Sequence, residues 1–374
     1  MNFLFVCSGT AGHINPALAV ATELRTRIPD SEILFVGADR VLEKKLIPQS
    51  GFKVVNIKMS GLRRGFSPGD IIYNLNTAKN ILTASRESSK LIKSFKPDIA
   101  IGTGGYICYP VLRKAAKLGI PTLIHDSNAV PGLTTKLLSG VVDKVLVSFP
   151  NQEKLYKKPE RVVFTGTPIR KDFISASDNK SPRTENDRPL VVSFWGSLGA
   201  ERMNEVIAEV IMLNIKHREF DHIHAVGEKD GVLEIKNILK QKGVKGVDTL
   251  PAGIQVIKYI DDMPALMTAA DLIICRGGGS TVAELMEMSK PAIIIPSPYV
   301  ANNEQEYNAQ QLRKAGGAIL LKEKVCTGKK LYEEVTSLLS DKNLLASMSE
   351  SLKQLTAPNA TTNVVDLVLA MTHG

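Results

Sequence analysis

Two α/β domains, each a parallel sheet with helices on both faces, form the fold class that this sequence predicts, and three observations predict it. Short apolar runs rich in Val, Ile and Phe alternate with longer segments of helical spacing, the pattern of strands buried on both faces. The alternation comes in two series, five runs before residue 174 and five after residue 189. Between them residues 174–189, ISASDNKSPRTENDRP, carry almost no large apolar side chain, so they read as a linker or an exposed loop at a domain boundary.

The elements follow in order. NFLFVC, EILFVG, IAIGTG, PTLIHD and DKVLVSF read as the strands of the first domain, with helical spacing over residues 16–27 and 109–118 among the segments between them. LVVSFWG, HIHAVG, QVIKYI, LIICRG and AIIIPS read as the strands of the second. A chain of 374 residues, 44% of them hydrophobic, is long enough for two such cores.

Composition narrows the function. Cys7, Cys108, Cys275 and Cys326 lie far apart without a C-x-x-C pair, which suggests buried thiols rather than a disulfide framework or a zinc site. The first apolar run is too short for a signal-peptide core, and no run reaches the roughly 20 apolar residues that span a bilayer. A cytoplasmic protein without a transmembrane anchor is therefore expected. The net charge of +9 is uneven: residues 1–170 hold 24 Lys and Arg against 12 Asp and Glu, and the remainder 23 against 26. Much of the excess falls in residues 53–96, where Arg63 and Arg64 stand beside Phe66, Ile71 and Ile72. That mixture suits an anionic membrane surface and equally suits a solvated loop leading into a core helix. No recognition helix or stacking-aromatic module accompanies the charge, so nucleic acid is not expected as a partner.

In sheets of this kind, ligands bind at the carboxyl ends of the strands, where glycine turns bring backbone N–H groups and helix N-termini to the edge. The first strand runs into GTAGH, with Thr10, Gly12 and His13. His13 falls at a helix start, where the dipole suits a neutral imidazole able to accept a proton. GTGGY places Gly104, Gly105 and Tyr106 at the same edge, and HDSN places Asp126 and Asn128 there, with His125 read as structural. In the second half WGSLGA supplies Ser197 and Gly199 for a phosphate. CRGGGSTVAE carries Arg276, then Gly277, Gly278 and Gly279, then Ser280 and Thr281 as helix caps and Glu284 one turn in. These glycine amides suit an anion and Glu284 suits two ribose hydroxyls, although a glycine turn with a capping glutamate fits the same residues. NNEQEYNA adds Gln305 and Asn308. Neither G-x-G-x-x-G nor G-x-x-x-x-G-K-[ST] occurs, which argues against a dinucleotide or an ATP-type loop.

GTAGH, GTGGY, HDSN, GTPIR, GSLGA, YIDDM, CRGGGSTVAE and NEQEYNA, in this order over nearly the whole chain, resemble the MurG family of bacterial peptidoglycan N-acetylglucosaminyltransferases. The resemblance implies two Rossmann-like domains facing across a cleft, the GT-B fold. It implies an acceptor and membrane-facing domain over residues 1–168, a UDP-sugar domain over residues 169–350, and a final helix within residues 351–374 that crosses back. The implied substrates are UDP-N-acetylglucosamine and undecaprenyl-diphosphate-linked muramyl-pentapeptide, at the cytoplasmic face of the cell membrane, with other cell-wall synthesis proteins as further partners. On this pattern Glu284 binds the ribose, the backbone at Ile260 reads uracil, and Arg276 lies by the nucleotide. Ser197 and Arg170 hold the diphosphate, and Gln305, Asn308 and Asn128 reach the sugar. Thr10 and His13 sit near the acceptor hydroxyl, and Gly104, Gly105 and Tyr106 lie on the acceptor side. The chain departs from the family at Ser8, Ala11, Ser127, Thr167, Leu198 and Glu304. The implied reaction is a single inverting displacement, with His13 or Asp126 as base and no metal or cofactor. A UDP-N-acetylglucosamine 2-epimerase of the same architecture and a non-catalytic nucleotide or lipid-carrier binder remain as other readings.

Overall fold

A computed structural model of the protein describes all residues except 60, 62–66, 178–187, 197–198, 228–230 and 373–374. Two compact units result, one of residues 1–170 with 357–374, the other of residues 171–356. Seven parallel strands form the first sheet: β1 (Asn2–Cys7), β2 (Glu32–Gly37), β3 (Lys53–Asn56), β4 (Ile99–Gly104), β5 (Thr122–Asp126), β6 (Lys144–Val147) and β7 (Val162–Phe164). Their spatial order is β3-β2-β1-β4-β5-β6-β7. Six parallel strands form the second: β8 (Leu190–Phe194), β9 (Asp221–Ala225), β10 (Ile254–Ile257), β11 (Leu272–Cys275), β12 (Ala292–Ile294) and β13 (Ala318–Leu320), in the order β10-β9-β8-β11-β12-β13.

Both orders reverse direction beside the first strand of the unit, between β1 and β4 and between β8 and β11. Helices leaving the two neighbouring strands go to opposite faces there, which opens a crevice at the carboxyl ends. Alternation along β1 shows why the sheet is covered twice. Phe3, Phe5 and Cys7 enter one core, whereas Leu4 and Val6 enter the other, and all five are fully buried. Burial of each such large side chain contributes roughly 1.5–3 kcal/mol.

Three edge strands, β3, β7 and β13, were not expected. They are three or four residues long and only partly buried, so they lack the continuous apolar run that marks a central strand. The first helix, expected over residues 16–27, starts at Ala11 with Thr10 as its N-cap and carries Pro16 inside. The expected division at 168/169 lies instead between Arg170 and Lys171. The first part of the expected linker belongs to the helix Lys171–Ser177, and residues 178–187 lie outside the described residues. The return to the first unit begins at Ala357 rather than at 351. The helix Lys342–Leu355 stays with the second unit. The helix Ala360–Thr372 puts Val364, Val365 and Val368 into the core of Phe3 and Phe5, and Thr361 Oγ1 donates to the Ile169 carbonyl at 3.0 Å.

All four cysteines are buried and free, and burial pushes their thiols up, Cys108 to about 12 and Cys326 to about 11. The core of the second unit also contains a polar cluster. The Ser193 hydroxyl on β8 lies 2.8 Å from His222 Nε2 and 2.7 Å from His224 Nδ1, and all three residues are fully buried. Burial lowers His222 to about 4; burial first and then the neighbouring His222 lower His224 to about 3. Both folded values lie below the unfolded value of about 6.5, so this contribution is complete above pH 6.5 and is lost as pH falls toward 4. At pH 5 each histidine is expected to cost about 2 kcal/mol of stability. Calorimetry at pH 7.5 and 5.0 should show a smaller acid-induced drop in Tm for His224→Gln than for the native protein.

Candidate active site

In the first unit the switch point lies between β1 and β4, and the loops leaving both strands meet there. The Ser8 N–H donates to the Gly104 carbonyl at 3.1 Å, and Thr103 Oγ1 donates to the His13 carbonyl at 2.6 Å. Half-buried His13 is the third residue of the helix Ala11–Arg27, and its Nδ1 lies 2.7 Å from the Ser8 carbonyl. A carbonyl can only accept, so Nδ1 carries the hydrogen and the neutral ring keeps its lone pair on Nε2. Gly104 and Gly105 make this seat possible, at φ +125° and +91°. A Cβ on Gly104 would stand 2.8 Å from His13 Cγ and Nε2, and one on Gly105 would stand 2.5 Å from the Ser8 carbonyl. Ser8 Oγ is buried with no hydrogen-bond partner.

Asp126, the rival base, is buried and occupied. Its Oδ1 accepts from the Asn128 N–H at 3.1 Å and its Oδ2 from the Gly132 N–H at 3.0 Å, which fixes the loop after β5. Asn128 is half-buried there, its carbonyl accepting from Gln152 Nε2 at 3.0 Å. His125 is buried with Nε2 2.9 Å from the Gly166 carbonyl, and burial lowers its pKa. Thr10 is exposed and makes no side-chain cap. The Tyr106 hydroxyl accepts from Arg40 Nε at 2.9 Å, with the Arg40 guanidinium 5.4 Å from the ring centroid. Arg63, Arg64 and Phe66 lie outside the described residues, as do the side chains of Ile71 and Ile72 in the helix Pro68–Phe95.

In the second unit a cavity of about 990 Å³ opens beside the ends of β8 and β11, and both Arg276 and Gln305 line it. Arg276 Nη1 lies 2.6 Å from Glu323 Oε2 and donates to the Ile295 carbonyl at 2.9 Å; its guanidinium stands 5.4 Å from the Trp195 ring centroid. Gln305 Oε1 accepts from the Ser297 N–H at 2.9 Å, which turns its amide NH₂ group away as a donor. A Cβ on Gly277 would collide with the Gln305 carbonyl, so only glycine lets these two backbones meet. Gly278 is the N-cap of the helix Gly279–Glu287 and no side chain caps it, in contrast to the expected capping by Ser280 and Thr281. Ser280 Oγ is buried with no hydrogen-bond partner.

Asn308 does not line the cavity. It is fully buried and its Nδ2 donates to the Gly277 carbonyl at 2.9 Å, so it holds the glycine loop from behind instead of reaching a ligand. Glu284 is half-buried in its helix and also lies outside the lining, close enough to Cys275 to add to the effect of burial on that thiol. Ile260 is buried just beyond β10. Arg170 is exposed at the end of the first unit, and Ser197 lies outside the described residues. Arg40, Glu43, Trp195 and Glu323 were missed by sequence reasoning. Arg40 and Glu43 open the helix after β2, so the spacing R-x-x-E directly behind a strand was the available signal. Among the described residues no group of three or more His, Cys, Asp or Glu is arranged to hold a metal ion, and no helix is long and apolar enough to cross a membrane.

The glycosyltransferase family 28 N-terminal domain matches residues 3–147, and the C-terminal domain of that family matches residues 190–364. A "UDP-N-acetylglucosamine--N-acetylmuramyl-(pentapeptide) pyrophosphoryl-undecaprenol N-acetylglucosamine transferase" of Acetivibrio thermocellus is 41% identical, over 98% of this chain and 97% of that relative. The protein of the same name from Caldanaerobacter subterraneus subsp. tengcongensis is 40% identical over the whole of both chains. The crystal structure of Acinetobacter baumannii MurG is similar with a TM-score of 0.75 and 29% identity, covering 99% of this chain and 100% of that one.

Two glycine substitutions separate the two sites. Gly104→Ala should displace the His13 ring and lower kcat by on the order of 100-fold, leaving the Kd for UDP unchanged by calorimetry. Gly277→Ala should push back the Gln305 backbone and raise the Kd for UDP about tenfold, the equivalent of 1.4 kcal/mol of strain.

Proposed function

Because the chain belongs to the MurG family of N-acetylglucosamine transferases, we propose that it transfers N-acetylglucosamine from UDP-N-acetylglucosamine to the muramyl sugar of an undecaprenyl-diphosphate-linked muramyl-pentapeptide. The observation that carries the chemistry is the 2.7 Å contact between His13 Nδ1 and the Ser8 carbonyl, which makes Nδ1 the donor and leaves Nε2 of the neutral ring as an acceptor at the carboxyl edge of the first sheet. An acceptor hydroxyl attacks the anomeric carbon, a new C–O bond forms, and the bond from that carbon to the diphosphate oxygen breaks. The hydroxyl proton goes to His13 Nε2, and UDP leaves with the electron pair. Inversion follows from the single displacement. Asp126 is the weaker candidate, because two backbone N–H groups already occupy its carboxylate.

The donor falls to the second unit. Uncapped amides of Gly278 and Gly279 at a helix N-terminus, with Ser197 and the Arg276 guanidinium, would oppose the charge that develops on the diphosphate. The Gln305 NH₂ group would donate to a sugar hydroxyl, Glu284 would accept from the ribose hydroxyls, and the backbone at Ile260 would read uracil. No metal is needed in this scheme, since helix amides and guanidinium N–H groups donate to the diphosphate oxygens. The excess of Lys and Arg in residues 1–170 supports contact with an anionic membrane surface, where the lipid-linked acceptor resides.

The assay is transfer of labelled sugar from UDP-N-acetylglucosamine to a synthetic muramyl-diphospho-lipid in the presence of EDTA. Native protein should transfer. His13→Ala should lower kcat by roughly 100-fold or more with little change in KM for the donor, whereas Glu284→Ala should mainly raise that KM. Isomerisation of the free nucleotide sugar without transfer would favour an epimerase, and binding without turnover a carrier protein.

A further inference from the structure

The Ser8–Gly9 peptide is engaged at both ends. Its carbonyl accepts from His13 Nδ1 at 2.7 Å, and its N–H donates to Glu43 Oε1 at 2.9 Å. No peptide bond among the described residues is cis, so the two groups point in opposite directions and the carboxylate, the peptide and the imidazole stand in series. Glu43 is fully buried, and its second oxygen accepts from the Ala38 N–H at 2.6 Å and the Arg40 N–H at 3.3 Å. One side chain thus fastens the loop before His13 to the loop after β2. Room for it comes from Gly37, where a Cβ would stand 2.6 Å from Glu43 Oε2. The same carboxylate adds, after burial and Cys108, to the upward push on the Cys7 thiol.

We propose that Glu43 is a positioning residue that orders and polarises His13 through this single peptide group. A negative charge hydrogen-bonded to an amide draws the N–H dipole toward itself and leaves more charge on the carbonyl oxygen at the other end. The Ser8 carbonyl therefore becomes a stronger acceptor for Nδ1–H, which holds the ring in one tautomer and leaves Nε2 as the lone-pair nitrogen. The carboxylate–histidine pairs of hydrolases do this by direct contact; here a peptide stands between the two groups. Glu43 touches no substrate in this scheme. The consequence for turnover rests on the reading of His13 as the base, whereas the tautomer does not.

The test uses the full chain with ¹⁵N-labelled histidine and glycine. In the native protein at a pH where the ring is neutral, the ¹⁵N spectrum should show His13 as the Nδ1–H tautomer and the Gly9 amide proton at low field. An Nε2–H tautomer, or a Gly9 amide at an ordinary shift, overturns the relay without any variant. Glu43→Gln has an amide NH₂ where one oxygen now faces backbone N–H donors, so it can serve only one of the two loops. It should raise the population of the Nε2–H tautomer and lower kcat about tenfold, as loss of an outer partner does to a metal-bound histidine. KM for the donor should not change. In a His13→Ala background the same substitution should lower the rate no further. Equal losses in both backgrounds, or an unchanged tautomer in folded Glu43→Gln, overturn the proposal. Full turnover by His13→Ala sinks the base reading instead and leaves the tautomer experiment to decide the relay.

Discussion

The hydrogen bond from His13 Nδ1 to the Ser8 carbonyl is the constraint around which the first unit is organised at its carboxyl edge. It requires the chain to turn back between β1 and the following helix within five residues, and it requires the neighbouring β4 loop to come close without side chains. Gly104 and Gly105 meet the second demand, since a Cβ on either would occupy space filled by the His13 ring or by Ser8. The cost of ordering these glycines is offset by the rigid sheet beneath them, whose central strands are buried on both faces. A soft loop could bring a histidine to the same place, but it would not hold one nitrogen as donor and the other as acceptor.

The second unit reaches an anion-ready edge by different means. Its glycine loop is held from behind by Asn308 and from the side by the Gln305 backbone, while Arg276 is held by Glu323 and Trp195. The Arg276 and Glu323 side chains are only 11% and 3% exposed, so removing Glu323 would leave a nearly buried guanidinium uncompensated, at a cost of about 3–5 kcal/mol. The pair keeps a cation at the cavity wall in a fixed position. Fixed donors and charges of this kind need little rearrangement when a leaving diphosphate gains charge.

Central strands were legible in the sequence because burial on both faces leaves a continuous apolar run, as in NFLFVC and LIIC. The edge strands β3, β7 and β13 were not, because each is three or four residues long and only partly buried, whereas the edge strand β10 was found through the run QVIKYI. Helical spacing was legible from residue 16, whereas the helix starts at Ala11 with Thr10 as its N-cap, and the glycine-containing first turn carries no apolar periodicity. The return of the chain at Ala357 rests on Val364, Val365 and Val368 packing against strands more than 300 residues earlier, which no local pattern encodes. The glycine loops and His13 stood out by position behind strands. Glu43 and Glu323 did not, because an acidic residue in a helix or turn reads as solvated until tertiary contacts bury it. Asn308 misled in the opposite sense, since a polar side chain near a glycine loop can support the loop as readily as bind a ligand.

All of the proposed chemistry assumes one displacement at the anomeric carbon, assisted by an imidazole and not preceded by a covalent sugar–enzyme intermediate. The anomeric configuration of the disaccharide formed from UDP-α-N-acetylglucosamine, read from proton couplings in the purified lipid-linked product, tests that assumption most directly. A β linkage is the result the account predicts. An α linkage would mean two displacements or a front-face reaction, and would contradict the role assigned to His13.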